Sequence, residues 1–160
     1  MPKTVSGYSQ RTHVILKEHM IASVFSTWPR IETDGGKLRA TSSWLAYLSC
    51  LGLYSCEVVV DPKTSLVSIV RRIGWFCKTE RQLRFGGIQR VAYGYQGPRS
   101  TIGKWLADDP DDCFSVGLWL RDQAYIHLFY FRGSGRGTAE EDSKAFACDL
   151  ARLIGVPVGR

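Results

Sequence analysis

The chain has 160 residues, of which 44% are hydrophobic, 22% charged and 12% aromatic. This length provides one domain with a real hydrophobic core and is too short for a catalytic (β/α)₈ barrel. The apolar fraction excludes wholesale disorder, and the low charged fraction excludes a long coiled coil. The formal net charge is +6.

The first third of the chain gives mixed signals. Residues 1–11 are polar, and we expect them to form a flexible terminus. Residues 12–54 are assigned to a segment of uncertain fold that packs on the following domain. Within it, the dipeptide Gly35-Gly36 after Asp34 predicts a turn, whereas residues 44–53 are compatible with a helix or a buried strand.

From Cys56 onward the pattern is typical of antiparallel strands. A valine run at 58–60, a turn over 61–65 and a β-branched run at 66–72 predict a hairpin. Residues 74–77 and 82–85 flank a short basic stretch, which predicts a second hairpin with its turn between them. Residues 88–95 alternate and predict a further strand, with Arg90 on the face opposite its apolar row.

The clearest hairpin follows a loop predicted over 97–112. Alternating apolar residues in 114–120 and 124–130 predict two strands joined by a turn at 121–123. This register places Leu118 opposite Ile126 and Val116 opposite Leu128. The residues between them, including His127 and Trp119, then project from the other face. If Trp119 is exposed there with Phe129 and Phe131, these rings mark a contact surface.

A single amphipathic helix closes the sequence. Thr138 and Glu141 form a capping box at its start, and Gly155 followed by Pro157 ends it. Its apolar stripe comprises Phe146, Ala147, Leu150, Ala151, Leu153 and Ile154. We expect this stripe to be buried against the preceding sheet.

The order of these elements resembles a known fold family. The features are Val58-Val59-Val60-Asp61-Pro62, the pair Arg71-Arg72, Leu83-Arg84-Phe85 ahead of Ile88-Gln89-Arg90-Val91, and Ala151-x-x-Ile154-Gly155-Val156-Pro157. Over residues 55–158 they resemble the small bacterial pleckstrin-homology-like domains. The resemblance implies an α+β, mostly β fold: a strongly bent antiparallel sheet, or partly open barrel, of about six or seven strands capped by one C-terminal helix. Phosphoinositide-binding members carry bases at alternating positions around the first hairpin, whereas Arg71 and Arg72 are adjacent here.

The positive charge is concentrated in the middle of the chain. Residues 62–104 hold nine bases and a single acid, Glu80, for a net charge of +8, whereas the remainder is −2. Such a field attracts an acidic protein, an anionic lipid surface or a nucleic acid. A solvated basic face without a ligand is the alternative, because charge alone selects no partner.

No pattern in the chain predicts a catalytic centre, a cofactor or a metal. The five cysteines include no C-x-x-C pair, and the histidines are interpreted as ordinary surface or partly buried residues. The acidic run 108–112 is interpreted as an exposed loop and residues 132–138 as a connector. The N terminus resembles no export signal, and no apolar stretch suffices for a membrane span, so a cytoplasmic location, with peripheral membrane contact open, is expected.

The sequence therefore favours a non-catalytic binding or scaffolding module that contacts a protein partner or an anionic membrane surface; self-association is also compatible. The candidate contact residues are Lys63, Arg71, Arg72, Lys78, Arg81, Arg84, Arg90 and Trp119. One alternative is a small enzyme or ligand carrier with a pocket between sheet and helix, lined by groups such as His127 or Cys148. A nucleic-acid-binding sheet, with Trp75 and Phe76 among the bases, is less favoured.

Overall fold

The computed structural model describes residues 29–43, 54–74, 77–96, 112–133 and 138–159. These residues form two sheets and one long helix, which confirms the predicted α+β, mostly β class with its helix at the C-terminal end. Nine strands are present in the described ranges and form two open sheets. Seven of them, from Tyr54–Asp61 to Val158–Gly159, fall in the range for which about six or seven were expected. The predictions for Trp75, Phe76 and residues 44–53 fall outside the described residues.

The first sheet is an antiparallel meander in which each strand pairs with its neighbour in sequence. Its strands are β1 (Pro29–Asp34), β2 (Lys37–Ser42), β3 (Tyr54–Asp61), β4 (Leu66–Ile73) and β5 (Cys77–Arg84). The turn predicted at Gly35-Gly36 is confirmed, and both glycines have positive φ angles, of 55° and 83°. The hairpin predicted from residues 58–72 is also confirmed, as β3 and β4. In the turn between these strands, Asp61 Oδ1 accepts a hydrogen bond from the Lys63 amide.

The prediction of a hairpin between residues 74 and 85 is wrong. Residues 77–84 form one uninterrupted strand that pairs with β4 from Leu66 opposite Arg84 to Ile73 opposite Cys77. The chain reverses earlier, near Gly74, whose φ is 66°. Because β5 lies at the edge of its sheet and seven of its eight residues are exposed, it needs few apolar side chains. The polar sequence of this edge strand therefore led to the prediction of a turn.

The second sheet has the order β8-β7-β6-β9. Its strands are β6 (Ile88–Tyr95), β7 (Asp112–Leu120), β8 (Tyr125–Gly133) and β9 (Val158–Gly159). A short 3-10 helix (Phe85–Gly87) connects β5 to β6. The final strand β9, which the sequence did not predict, runs parallel to β6, and the Val91 amide donates to the Pro157 carbonyl over 3.0 Å.

The register predicted for the β7–β8 hairpin is correct only near its turn. Leu118 lies opposite Ile126 as expected, whereas Val116 lies opposite Phe129 and not Leu128. An irregularity between Val116 and Gly117 causes this difference, because it adds one residue to β8. Beyond that point the two faces of β8 are exchanged relative to the prediction.

The helix α1 (Thr138–Ile154) covers the second sheet, as predicted. Phe146 is 1% exposed, and its ring centroid lies 5.8 Å from the centroids of both Phe129 and Phe131. Gly155, with a φ of 80°, ends the helix, and its amide donates to the Ala151 carbonyl over 2.8 Å. The predicted helix and its buried stripe are therefore confirmed.

Candidate functional site

The structure separates the eight predicted contact residues into groups. Lys63 lies exposed in the β3–β4 turn, and Arg90 and Trp119 lie on β6 and β7 of the second sheet. The remaining five residues lie on β4 and β5, and they are Arg71, Arg72, Lys78, Arg81 and Arg84. Because side chains alternate along a strand, these five divide further between two faces of the first sheet.

Arg72, Lys78 and Arg84 share the outer face, and we call these three residues the basic edge. All three are exposed, and Arg72 lies directly opposite Lys78 in the pairing of β4 with β5. The acid of β5, Glu80, lies on this face too, with its Oε2 atom 3.2 Å from Lys78 Nζ. Three bases against one acid leave the basic edge positive.

Two acids elsewhere on the outer face of this sheet are paired with neighbouring bases. Asp61 lies 2.8 Å from Lys37 Nζ, and Glu57 lies 2.8 Å from Arg39 Nη2. The hydrogen bond from Lys37 lowers the pKa of Asp61, so this carboxylate is charged at neutral pH. Among the described residues, no acid pairs with Arg72 or Arg84. The positive field of the outer face is therefore strongest at β5.

Two open grooves adjoin the end of the basic edge. The larger, of about 720 Å³, runs from residues 64–66 to residues 84–86, and the other, of about 330 Å³, lies between β5 and the β7–β8 turn. Gln82 and Arg84 line both of them. Arg84 can therefore contact a ligand that lies along either side of β5.

A third pocket lies on the inner face, and we call it the inter-sheet pocket. It has a volume of about 220 Å³ and is lined by Ile69, Arg71, Thr79, Glu80, Arg81 and Ile126. The pairing of β4 with β5 places Arg71 opposite Thr79 and Ile69 opposite Arg81, so four lining residues share one face. Ile126 faces them from β8 of the second sheet.

Arg71 connects the two sheets behind this pocket. Its Nη2 atom donates a hydrogen bond to the His127 carbonyl on β8. The Cys56 thiol, which is buried beside Arg71, makes a long contact of 4.0 Å with the Leu128 carbonyl. Burial raises the pKa of this thiol, although the charge of Arg71 opposes the rise, so Cys56 is protonated at neutral pH.

His127 is the residue of this region that the sequence placed least accurately. It is 5% exposed, and its ring stacks on Tyr130 with the centroids 3.9 Å apart. An outward position was predicted for it because the adjacent residues Ile126 and Leu128 are apolar. Every residue of β8 from Ile126 to Phe131 is in fact buried, on both faces of the strand, so alternation alone does not reveal exposure there.

The condition for an aromatic contact surface, exposure of Trp119 together with Phe129 and Phe131, is not met. Phe129 and Phe131 are 1% and 2% exposed and pack on α1, because the irregularity in β7–β8 turns them inward. Trp119 is half-buried and packs on Tyr125 at 5.2 Å, with the Arg90 guanidinium carbon 5.7 Å from its ring centroid. Arg90 and Trp119 therefore form a separate pair on the second sheet.

The helix–sheet interface is filled by apolar side chains. Phe146 and Leu150 are almost fully buried there, whereas Cys148 lies on the exposed side of α1. The basic edge, the two grooves and the inter-sheet pocket all lie away from α1. The two grooves and the inter-sheet pocket, which are built from described residues, thus flank β5.

No protein-family model and no curated protein matches this chain. Over the described ranges, no helix is long and apolar enough to cross a membrane. Those ranges also hold no group of three acidic, histidine or cysteine residues placed to bind a metal ion. His13, His19, Cys50 and most of the acidic run at 108–112 are outside them.

Proposed function

We propose that this chain is a non-catalytic binding module that docks an acidic, extended segment of a partner protein along β5. One observation carries the proposal: β5 is an eight-residue edge strand with seven exposed residues, and it carries three bases and one acid. An edge strand presents backbone groups that an incoming strand can pair with, and its side chains then select the sequence.

The charges of the basic edge favour one kind of incoming strand. Arg72 and Lys78 oppose each other, and like charges in this position destabilise a sheet. They also repel another basic strand, which protects the edge from self-pairing. An acidic strand relieves both repulsions, because its carboxylates lie beside the bases.

A protein partner fits this surface better than a lipid bilayer does. Peripheral membrane binding usually combines bases with apolar side chains that enter the interface. The large hydrophobic residues that are exposed in the described part of the chain are Ile31, Tyr95 and Val158, which lie on β1, β6 and β9. None of them lies on β4 or β5.

The fold that we propose for this module is the pleckstrin-homology-like one. Its support is the succession of antiparallel strands from β3 to β8, followed by a C-terminal helix that covers one of two open sheets. Binding modules of this architecture use their sheets and loops as a scaffold, which is compatible with a ligand on β5.

Fluorescence anisotropy with a labelled dodecapeptide of alternating glutamate and valine tests the docking proposal. We expect saturable binding that weakens steeply between about 50 mM and about 300 mM salt. The double variant Lys78→Gln/Arg84→Gln should bind about tenfold more weakly, which corresponds to roughly 1.4 kcal/mol. The variant Lys144→Gln/Arg152→Gln removes the same charge from α1 and should bind like the unchanged protein.

A glutamate–proline dodecapeptide provides the second control, because it has the same charge but cannot pair as a strand. Equal affinity for the two peptides would reject strand addition. Vesicles with about 30% phosphatidylserine test the membrane alternative. Binding to vesicles without binding to the glutamate–valine peptide would replace the protein partner by a lipid surface.

A further inference from the structure

The inter-sheet pocket lies on the opposite face of β5 from the basic edge, and nothing in the proposed docking mode occupies it. We propose that it binds a small organic carboxylate with a short apolar body. In this arrangement the carboxylate lies between Arg71 and Arg81, and the apolar body contacts Ile69 and Ile126. This inference is independent of the proposed function, since it concerns other side chains of the strand.

The strand register builds the polar part of the pocket. Arg71 lies opposite Thr79, and Arg81 lies opposite Ile69, so the two arginines are diagonal neighbours on one face of the sheet. A diagonal pair is within reach of long side chains, which allows both guanidinium groups to converge on one anion. The Thr79 hydroxyl adds a donor beside them.

The two arginines differ in how firmly they are held. Arg71 is half-buried, and its hydrogen bond to the His127 carbonyl fixes it against the second sheet. Arg81 is exposed, and among the described residues no carboxylate forms an ion pair with it. One rigid cation and one adjustable cation suit capture of a carboxylate, because a guanidinium can donate two parallel hydrogen bonds to it.

The acid that lines this pocket does not neutralise it. Glu80 alternates with Thr79 and Arg81 along β5, so its side chain projects from the outer face, where its Oε2 atom lies 3.2 Å from Lys78. Its contribution to the wall is therefore the backbone or the stem of the side chain. The cavity keeps the charge of two arginines in partly enclosed surroundings, where electrostatic attraction exceeds that in open water.

Size and apolar surface define the class of ligand. A volume of about 220 Å³ is equivalent to about seven water molecules at roughly 30 Å³ each. Ile69 and Ile126 are almost fully buried and form the apolar floor of the pocket, and the aliphatic carbons of the two arginines and the Thr79 methyl group provide the rest of its apolar lining. Inorganic phosphate would leave this apolar surface uncovered, whereas a branched short-chain carboxylate would cover it.

Titration of the ¹⁵N-labelled full chain with isovalerate, followed by NMR, tests this inference. We expect saturable shifts of the Ile69, Thr79 and Ile126 amides at low salt, and no saturation with the neutral analogue isovaleramide. Arg81→Gln should weaken binding about tenfold, since it removes one charge-assisted partner. Lys78→Gln, which removes the same charge from the other face of β5, should leave the affinity for isovalerate within about twofold.

Thr79→Phe provides a variant that fills the pocket at an exposed position without removing a charge. It should abolish the isovalerate shifts and retain binding of the acidic dodecapeptide, which separates failure at this site from failure of the edge-docking proposal. Equal binding of isovaleramide would overturn the inference, as would an equal loss in Lys78→Gln and Arg81→Gln. Displacement of isovalerate by lower concentrations of phosphate would overturn the ligand class.

Discussion

The second sheet under α1 and the β5 side of the first sheet use their side chains in opposite ways. In β8, every residue from Ile126 to Phe131 is buried. The helix α1 packs on Phe129 and Phe131, and Arg71 and Cys56 of the first sheet contact main-chain carbonyls of β8. In β5, only Leu83 is even half-buried. The strand β8 is therefore held by packing around its side chains. The strand β5, in contrast, contributes its backbone to a sheet and exposes most of its side chains to solvent.

We expect this difference to separate the residues that determine stability from those that determine binding. A substitution in the second sheet opens a cavity or forces an overlap, and its cost appears in the free energy of unfolding. A substitution on β5 changes an exposed charge, which contributes little to folding but much to attraction of an acidic ligand. The predictions below test this separation, beginning with the largest expected effect.

Phe146→Ala should destabilise the protein most. Phe146 is 1% exposed and contacts the rings of Phe129 and Phe131, so its loss should cost about 3–5 kcal/mol of unfolding free energy. Lys144→Ala, at an exposed position on the same helix, should change it by less than about 0.5 kcal/mol. Urea denaturation followed by circular dichroism measures both; a loss below about 1 kcal/mol in Phe146→Ala would contradict the packing of α1.

Gly117→Ala tests the close packing at the irregularity between β7 and β8. A Cβ atom at this position would lie 2.5 Å from the Tyr125 hydroxyl oxygen and 2.7 Å from two ring carbons. The Tyr125 ring, which packs on Trp119, must then shift, and this should cost about 1–3 kcal/mol. Gly94→Ala is the matched control on β6, since its Cβ would meet only Ser115 Oγ at 3.8 Å. Equal melting temperatures for the two variants would show that Gly117 is not needed.

Tyr125 provides a pH test of the same packed region. Burial, with a smaller contribution from Tyr130, raises the pKa of Tyr125 from its usual 10 to about 12. The folded state therefore favours the neutral phenol. Its stabilising contribution is complete below pH 10 and is lost as the pH rises through about 12. Between these pH values, the melting temperature of Tyr125→Phe should consequently fall less than that of the unchanged protein. Parallel curves of melting temperature against pH for the two proteins would contradict burial of the phenol.

In the packed region the sequence predicted the helix and the start of the β7–β8 pairing, but not the exchange of faces in β8 beyond Gly117. The stripe containing Phe146 and Leu150 and the pairing of Leu118 with Ile126 follow from apolar periodicity, which burial imposes. The strand β5 was missed because an exposed edge strand needs no apolar row.

The candidate site shared this limitation. The bases that form it were identified, but the division between the basic edge and the inter-sheet pocket depends on the register of β4 with β5. Thr79, Glu80 and Ile126 were missed for the same reason. Thr79, Arg81 and Leu83 occupy every second position, and this alternation was the feature of the sequence that indicates a strand here. Pairing partners in a sheet are set by contacts distant in sequence, which local patterns do not encode.

Arg72→Thr should have the smallest effect on the free energy of unfolding, and it should raise this free energy where most substitutions lower it. It removes the repulsion between Arg72 and Lys78, so the protein should become more stable by about 0.2–1 kcal/mol at low salt, and the gain should disappear at high salt. Arg39→Thr is the contrasting control, because it leaves Glu57 without its 2.8 Å partner and should be neutral or destabilising.

The same Arg72→Thr substitution should weaken binding of the glutamate–valine dodecapeptide, since it lowers the positive charge beside β5. A gain in stability together with a loss of affinity would mean that the basic edge is retained for a ligand at the expense of the fold. A loss in stability would show instead that Arg72 contributes to packing. Unchanged affinity at low salt would show that Arg72 is not part of the docking surface. The docking surface would then be confined to the residues of β5.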